Sequence, residues 1–289
     1  VSRYDYPAAT SAVVTPTTEE RLAADLAAAG TPLRLAHGRW WRRIGRGFYE
    51  SLHWLAAMSA AEARRPGLCW GYRTALDEGS HAASNGSIPL HMVPDVEGYG
   101  ESRLPRDAQR AIRRMTRRSI RIVHVTDMRV LVDQSYPIAE DWYRRVDRSA
   151  PMPSRERHLA YLERHLADPS WLILAAIDAD DRLLGYQLSW SIDDAGYLWE
   201  IKVASDALRL GVTAVLDFEA VRAFQRAGTI HRITAGLHQP EKVTLTTYKV
   251  RHGFPVIQVP ARAWMMAPIG ALMRRRRPDA YYRLTGRGP

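Results

Sequence analysis

Cysteine is almost absent from this 289-residue chain. The single Cys69 has no internal partner, which excludes a disulfide scaffold and a cysteine-based metal site and makes a reducing, cytoplasmic setting the expected one. Lysine is nearly as scarce, with three lysines beside 38 arginines. Long apolar runs are missing. The best, Trp171–Ile177 and Trp264–Met273 (broken by Pro268), fall short of the roughly 20 apolar residues a spanning helix needs. The first residues lack a charged segment followed by an apolar one, so no signal peptide is expected. There is no internal repeat, no Gly-x-Ser-x-Gly elbow and no Walker loop, which removes α/β-hydrolase and P-loop chemistry. His158 and His165 lie seven apart on one expected helix with no carboxylate cluster beside them, so no metal site is expected.

What remains is an ordinary globular composition, 46% hydrophobic and 25% charged, with a net charge of +10. The excess of arginine over lysine mostly reflects GC-rich coding. The lysines are more informative. Lys202, Lys242 and Lys249 fall within one stretch of 48 residues. A lysine retained against that bias is a candidate for chemistry that needs a compact ammonium or a tunable pKa.

Residues 1–18 carry no periodicity and read as a poorly ordered lead-in. Residues 19–104 read as an N-terminal α/β portion. Thr18 caps a helix opened by Glu19 and Glu20. Leu33–Leu35 and Leu68–Ala75 read as strands, Tyr49–Ala63 as a helix and Gly79–Ser87 as a loop. From 105 to 289 the pattern sharpens. Pro105 opens a helix on which Arg106, Arg110, Arg113 and Arg117 recur at helical spacing, and residues 101–130 hold nine arginines against three acids. A strand at Ile120–Val125 and helices at 127–147 and 154–167 follow, the latter behind Ser154. Trp171–Asp178, Leu183–Ile192 and Tyr197–Ala204 form an antiparallel meander with aspartate turns. Then come a helix from Gly211 to Ala227, a strand at Arg232–Gly236, a helix at Glu241–Arg251 and a strand at Phe254–Val259.

That order, with the text of Tyr197–Gly228, His231–Leu237 and Thr246–Phe254, resembles the GNAT acyltransferase superfamily. More narrowly it resembles the Fem-like branch, which includes aminoacyl-tRNA-dependent transferases and relatives named for cellulose biosynthesis. An arginine-rich helix ahead of the domain and the run Tyr248-Lys249-Val250-Arg251-His252-Gly253 carry the narrower likeness. The resemblance implies a GNAT fold of the α/β class: a mixed, largely antiparallel sheet flanked by helices, with 19–104 as a degenerate copy of the domain.

It also implies a donor site. In this fold two neighbouring strands part and a helix begins in the gap, offering backbone N–H groups to a pyrophosphate. The corresponding residues are Val203, Arg209, Gly211, Val212 and Thr213, with His238 and Tyr248 at the edge of the cleft. Leu208 and Thr213 depart from the usual coenzyme A loop, while Gly211 keeps its central glycine; close packing at a helix start is the competing role for Gly211.

Strand alternation puts Glu200 and Lys202 on one face and Tyr197, Trp199, Ile201 and Val203 on the other. Glu200 can take a proton from an attacking amine, and a cross-strand ion pair is the competing role. Lys249 fills the slot where many of these acyltransferases place a tyrosine. Its ammonium suits an oxyanion or a leaving 3′-oxygen, against an ordinary surface lysine.

The basic helix and the run Arg274, Arg275, Arg276 and Arg277 are expected to hold tRNA, with Trp40, Trp41, Tyr281 and Tyr282 as stacking candidates; solvated charge is the alternative. The leading expectation is an N-acyltransferase that moves an aminoacyl group from aminoacyl-tRNA, a co-substrate rather than a bound cofactor, to the amine of a small molecule or peptide. An acyl-CoA-dependent N-acyltransferase is second. A non-catalytic GNAT-like module that binds RNA is third.

Overall fold

The computed structural model describes residues 3–146 and 151–288. In chain order the elements are α1 (Glu19–Ala28), β1 (Leu33–Ala36), β2 (Arg39–Gly45), β3 (Phe48–Ser51), β4 (Gly71–Ala75), β5 (Gly86–Met92), α2 (Arg106–Arg117) and β6 (Arg121–His124). They continue with α3 (Arg129–Val146), α4 (Arg155–Leu166), β7 (Trp171–Ile177), β8 (Leu183–Ile192), β9 (Ala195–Val203) and α5 (Val212–Ala227). The last are β10 (Arg232–Leu237), α6 (Val243–Arg251), β11 (Val256–Met265), α7 (Ala267–Arg276) and α8 (Pro278–Thr285). This is the expected α/β class with mostly antiparallel pairing. The expected helix end at 147 lies outside the described residues.

Two compact units divide the chain, neither continuous in sequence. The first combines the N-terminal residues to Pro16 with Val93–Ala235 and Arg251–Phe254; the second combines Thr17–Met92, Gly236–Val250 and the chain from Pro255 onward.

In the first unit β6, β7, β8 and β9 pair antiparallel in that order, and β10 joins β9 in parallel. The run WLILAAI of β7 is covered on both faces. Leu172, Leu174 and Ala176 enter one core with Ala111 and Met115 of α2 and Leu216, Ala220 and Phe224 of α5. Ile173, Ala175 and Ile177 enter the opposite core with Val130, Leu131 and Ile138 of α3 and Leu162 of α4. A strand buried on both faces reads as a continuous apolar run. Asp193, at φ 50°, supplies the left-handed residue of the tight turn into β9, which begins at Ala195, two residues before the expected start.

The expected disordered lead-in is packed instead. Tyr4 and Tyr6 are buried in the α3 core, where their hydroxyls donate to Asp133 (2.7 Å) and Asp127 (2.8 Å). Composition alone does not register two aromatic anchors in a polar stretch.

In the second unit the order is β1-β2-β3-β4-β11-β5, with the last strand of the chain inserted between β4 and β5. There β3 pairs with β4 in parallel, while β1–β2, β2–β3, β4–β11 and β11–β5 are antiparallel. Trp41, Met58, Cys69 and Tyr72 share its core. The helix expected at Tyr49–Ala63 is absent. Phe48–Ser51 is a strand because Glu50, buried, pairs with Arg42 on β2 and Arg73 on β4 (2.8 Å to Arg73), a cross-strand network a helix cannot make. The expected loop at Gly79–Ser87 runs into β5 at Gly86, and helices α7 and α8 were not expected. Thr18 and Ser154 do cap α1 and α4, accepting from Arg21 N and Arg157 N, both at 3.3 Å.

Candidate active site

The site begins where two strands part. β9 and β10 are paired only at Arg232↔Ala195, Ile233↔Gly196 and Thr234↔Tyr197. On its other edge β9 stays paired with β8 as far as Gly185↔Val203. Residues 198–203 therefore leave β10 while remaining in the sheet.

One residue into that stretch β9 bulges. Leu188 pairs with Glu200 and Ser189 with Leu198, so Trp199 is the extra residue. A bulge re-aims the side chains beyond it. Leu198, Ile201 and Val203 pack on the α5 side, while Glu200 and Lys202 face α3 and α4. The simple alternation expected from sequence therefore holds for 200–203 but not across Trp199.

Lys202 is 3% exposed and forms an ion pair with Glu200, which is 21% exposed. Three rings surround the ammonium, with centroids at 5.6 Å (Trp142), 5.8 Å (Tyr143) and 5.9 Å (Tyr186). Trp142 and Tyr143 come from α3; Tyr186 lies directly opposite Lys202 on β8. Burial drives the Lys202 pKa below the usual lysine value, against the pull of Glu200. Burial, then the charge of the Glu200 carboxylate, raises the phenol of Tyr161 on α4 well above the ordinary range.

Deeper on the same face, the Ser135 hydroxyl donates to Leu131 O (2.6 Å), so His158 Nε2–H donates to Ser135 Oγ at 3.0 Å. Burial, then the Lys202 charge, lowers the His158 pKa to about 4. His158 is a neutral histidine that braces α4 against α3. His165 bonds the Tyr161 carbonyl (2.6 Å). The aromatic surround of Lys202 was not anticipated. The adjacent Trp142-Tyr143 pair on an amphipathic helix was its one sequence signal.

The donor-loop candidates follow β9 directly. Val203 and Val212 are core residues, so only their backbone groups are open to a ligand; the Val203 carbonyl already accepts from Arg145 (3.0 Å). A 3-10 turn at Ser205–Leu210 leads to Gly211, and α5 starts at Val212 with Thr213 half-buried. Gly211 has φ +88°, and a Cβ there would stand 2.7 Å from the Ala111 Cβ of α2. That contact gives the glycine a packing role. Arg209 is exposed, and its carbonyl accepts from Arg114 of α2.

Lys249, Tyr248 and His238 lie in the second unit. Lys249 Nζ is 3.8 Å from where a Cβ on Gly236 would sit, so the ammonium lies against the backbone at the end of β10. Ser87 Oγ donates to Gln258 Oε1 (2.6 Å), and Gln258 Nε2 donates to Tyr282 OH (3.2 Å). The Tyr282 hydroxyl bonds His238 Nδ1 (2.9 Å), and burial lowers the pKa of that imidazole.

Arg106, Arg110, Arg113 and Arg117 are all exposed on α2, with loose ion pairs from Arg110 to Asp107 (3.7 Å) and Arg113 to Glu101 (3.5 Å). Arg274, Arg275, Arg276 and Arg277 are exposed at the end of α7. Trp41 and Tyr281 are buried and cannot stack on bases. Asp141 accepts from Ser205 N (2.8 Å) and from the Ser205 hydroxyl.

Residues 102–243 match the family model described as an acetyltransferase (GNAT) domain. No curated protein matches the chain. Among solved structures it is similar to the C-terminal domain of a protein named as a lysylphosphatidylglycerol synthetase from Agrobacterium fabrum, at 12% identity over 93% of this chain and 94% of that one, with a TM-score of 0.54. It is also similar to L-PGS from Bacillus licheniformis, at 11% identity over 94% of this chain and 99% of that one, with a TM-score of 0.51. At these identities the likeness is one of fold.

Proposed function

We propose that this protein is an N-acyltransferase of the GNAT type that forms an amide bond, taking an aminoacyl group from aminoacyl-tRNA and passing it to the amine of a small molecule or peptide. The observation that carries the reading is the parting of β9 from β10 after Tyr197 and Thr234, with the Glu200 carboxylate on the departing stretch.

The acceptor amine attacks the ester carbonyl carbon. A C–N bond forms, the ester C–O bond breaks, and the 3′-oxygen leaves as a hydroxyl. Glu200, the partly open member of its ion pair, takes the proton the amine must lose. Lys202 is too buried to touch a substrate; it is a positioning residue that holds the Glu200 carboxylate. The departing 3′-oxygen takes up that proton from Glu200 as the C–O bond breaks.

The exposed arginine stripe of α2 favours a polyanionic donor. Thr213, with a Cβ and a hydroxyl, stands where the usual loop has a small residue that lets a pyrophosphate approach the helix start. The fold relatives are consistent with this, since one is named for a lysyl-bearing product. The acetyltransferase family model favours a second reading, an acyl-CoA donor at the α5 start.

Ribonuclease separates the two. In a coupled assay with charged tRNA and a primary amine, nuclease treatment is expected to abolish amide formation. Amide made from acyl-CoA, unaffected by nuclease, would establish the second reading instead.

A further inference from the structure

The second unit exposes several apolar side chains on segments whose backbones lie close together. Leu68 is 88% and Leu272 52% exposed, and Trp70, Trp264 and Met266 are also open to solvent. They are neighbours. Met266 N donates to the Trp70 carbonyl (2.8 Å), Trp264 and Met265 lie opposite Tyr72 and Gly71 in the β11–β4 pairing, and α7, which carries Leu272, starts one residue after Met266. Between the end of β11 and the α7–α8 pair lies an open cleft of about 490 Å³, walled by Trp264, Met265, Gly270 and Ala271, with Arg274 and Arg287 at its polar side.

The charge around this surface is predominantly positive. From Ala267 to Gly288 the sequence has six arginines and a single acid, Asp279. Arg283 is paired with Glu241 and Arg274 donates to Tyr281 OH (3.1 Å), while Arg275, Arg276 and Arg277 point from exposed positions at the end of α7. Arg65 lies over the Trp264 ring, 4.5 Å from its centroid.

Two occupants fit poorly. A second copy of the chain would bring the arginine clusters face to face across a self-complementary interface. Nucleic acid satisfies the arginines but gives no account of Leu68, Met266 and Leu272, and one face of Trp264 is already covered by Arg65, which leaves it a poor base-stacking platform. An anionic bilayer satisfies both features. Open apolar side chains and tryptophan enter the headgroup–acyl boundary, and clustered arginines meet the lipid phosphates.

We infer that the α7–α8 surface docks the protein peripherally on anionic phospholipid membranes, with Trp264, Met266 and Leu272 inserted at the boundary and Arg275–Arg277 on the headgroups. The inference does not depend on the acyl-transfer reading. It requires no spanning segment; among the described residues no helix is long and apolar enough to cross a membrane.

Co-sedimentation of the full chain with vesicles tests it. Vesicles of equal parts phosphatidylcholine and phosphatidylserine are expected to retain the protein, and pure phosphatidylcholine vesicles to retain it at least tenfold less. At roughly fivefold per arginine, the triple change R275Q/R276Q/R277Q is expected to weaken partition by about a hundredfold. M266S/L272S, which alters only exposed positions and no charge, is also expected to weaken it. Loss in the arginine variant with M266S/L272S unaffected would reduce the surface to a general polyanion site and overturn the inference. So would equal retention on both vesicles, no retention on either, or tRNA binding that fails in R275Q/R276Q/R277Q while vesicle binding persists. Circular dichroism of each variant confirms that the fold is kept.

Discussion

Lys202 and Glu200, two residues apart on β9, form an ion pair in which the lysine is sealed among aromatic rings and the carboxylate is partly open. In the proposed reaction the arrangement divides the work between a buried anchor and a reachable base. Removing the anchor leaves an unpaired carboxylate and a void. Lys202→Ala is expected to cost about 3 kcal/mol of stability, read as a lower denaturant midpoint. Lys202→Met fills the volume, so its stability loss should be smaller. Both should slow amide formation to a similar degree, since neither holds Glu200 in place. A methionine variant with normal turnover would show that the lysine only packs.

Folding stability should fall in mild acid through His158. Its folded pKa is about 4, below the 6.5 of a free histidine. Between those values the unfolded chain binds a proton that the native protein does not, so stability decreases as pH drops from about 6.5 towards 4. The full effect is on the order of 3 kcal/mol. Denaturant titrations at several pH values should show this slope in the wild type and a shallower one in His158→Gln.

Glu50 offers a second acid-sensitive element, in the other unit. Burial raises its pKa, but Arg73 and then Arg42 more than reverse that, leaving it below the usual glutamate value. A carboxyl with a depressed folded pKa contributes stability above its unfolded value and loses it as pH falls through the folded one. Glu50→Gln should cost about 3–5 kcal/mol near neutrality, because two arginines lose their charge partner and one of them is buried.

At Gly211, substitution by alanine meets both a left-handed backbone and the Ala111 Cβ. A loss of about 2–4 kcal/mol is expected, measured by thermal or chemical unfolding. Ala111→Gly in the same chain should recover the steric part and leave the conformational part. No recovery would place the strain elsewhere in the loop.

The legible parts of this protein were those in which one local pattern decides the outcome. Ser154 and Thr18 announced helix starts, the WLILAAI run announced a doubly buried strand, and arginines at helical spacing announced an exposed stripe. The strand gap was legible only through the family resemblance, which supplied an order of elements that no single motif specifies. Other features depended on partners distant in sequence. Phe48–Ser51 is a strand because Arg42 and Arg73 meet Glu50. Tyr4 and Tyr6 are ordered because Asp133 on α3 and Asp127 just ahead of it accept from their hydroxyls. Strict alternation puts Tyr197 and Glu200 on opposite faces, and one extra residue, Trp199, inverts that period of two. The rings around Lys202 come from three separate elements and only folding assembles them.

The most direct test of the account is the single-turnover rate of amide formation by Glu200→Gln, with wild-type protein, charged tRNA and a primary amine as the reference. Glutamine keeps the shape and removes the base. The account predicts a rate lower by at least about a hundredfold in a protein that still folds and still binds tRNA. A rate equal to that of the wild type would contradict it, because the carboxylate at the strand gap would then have no part in the chemistry.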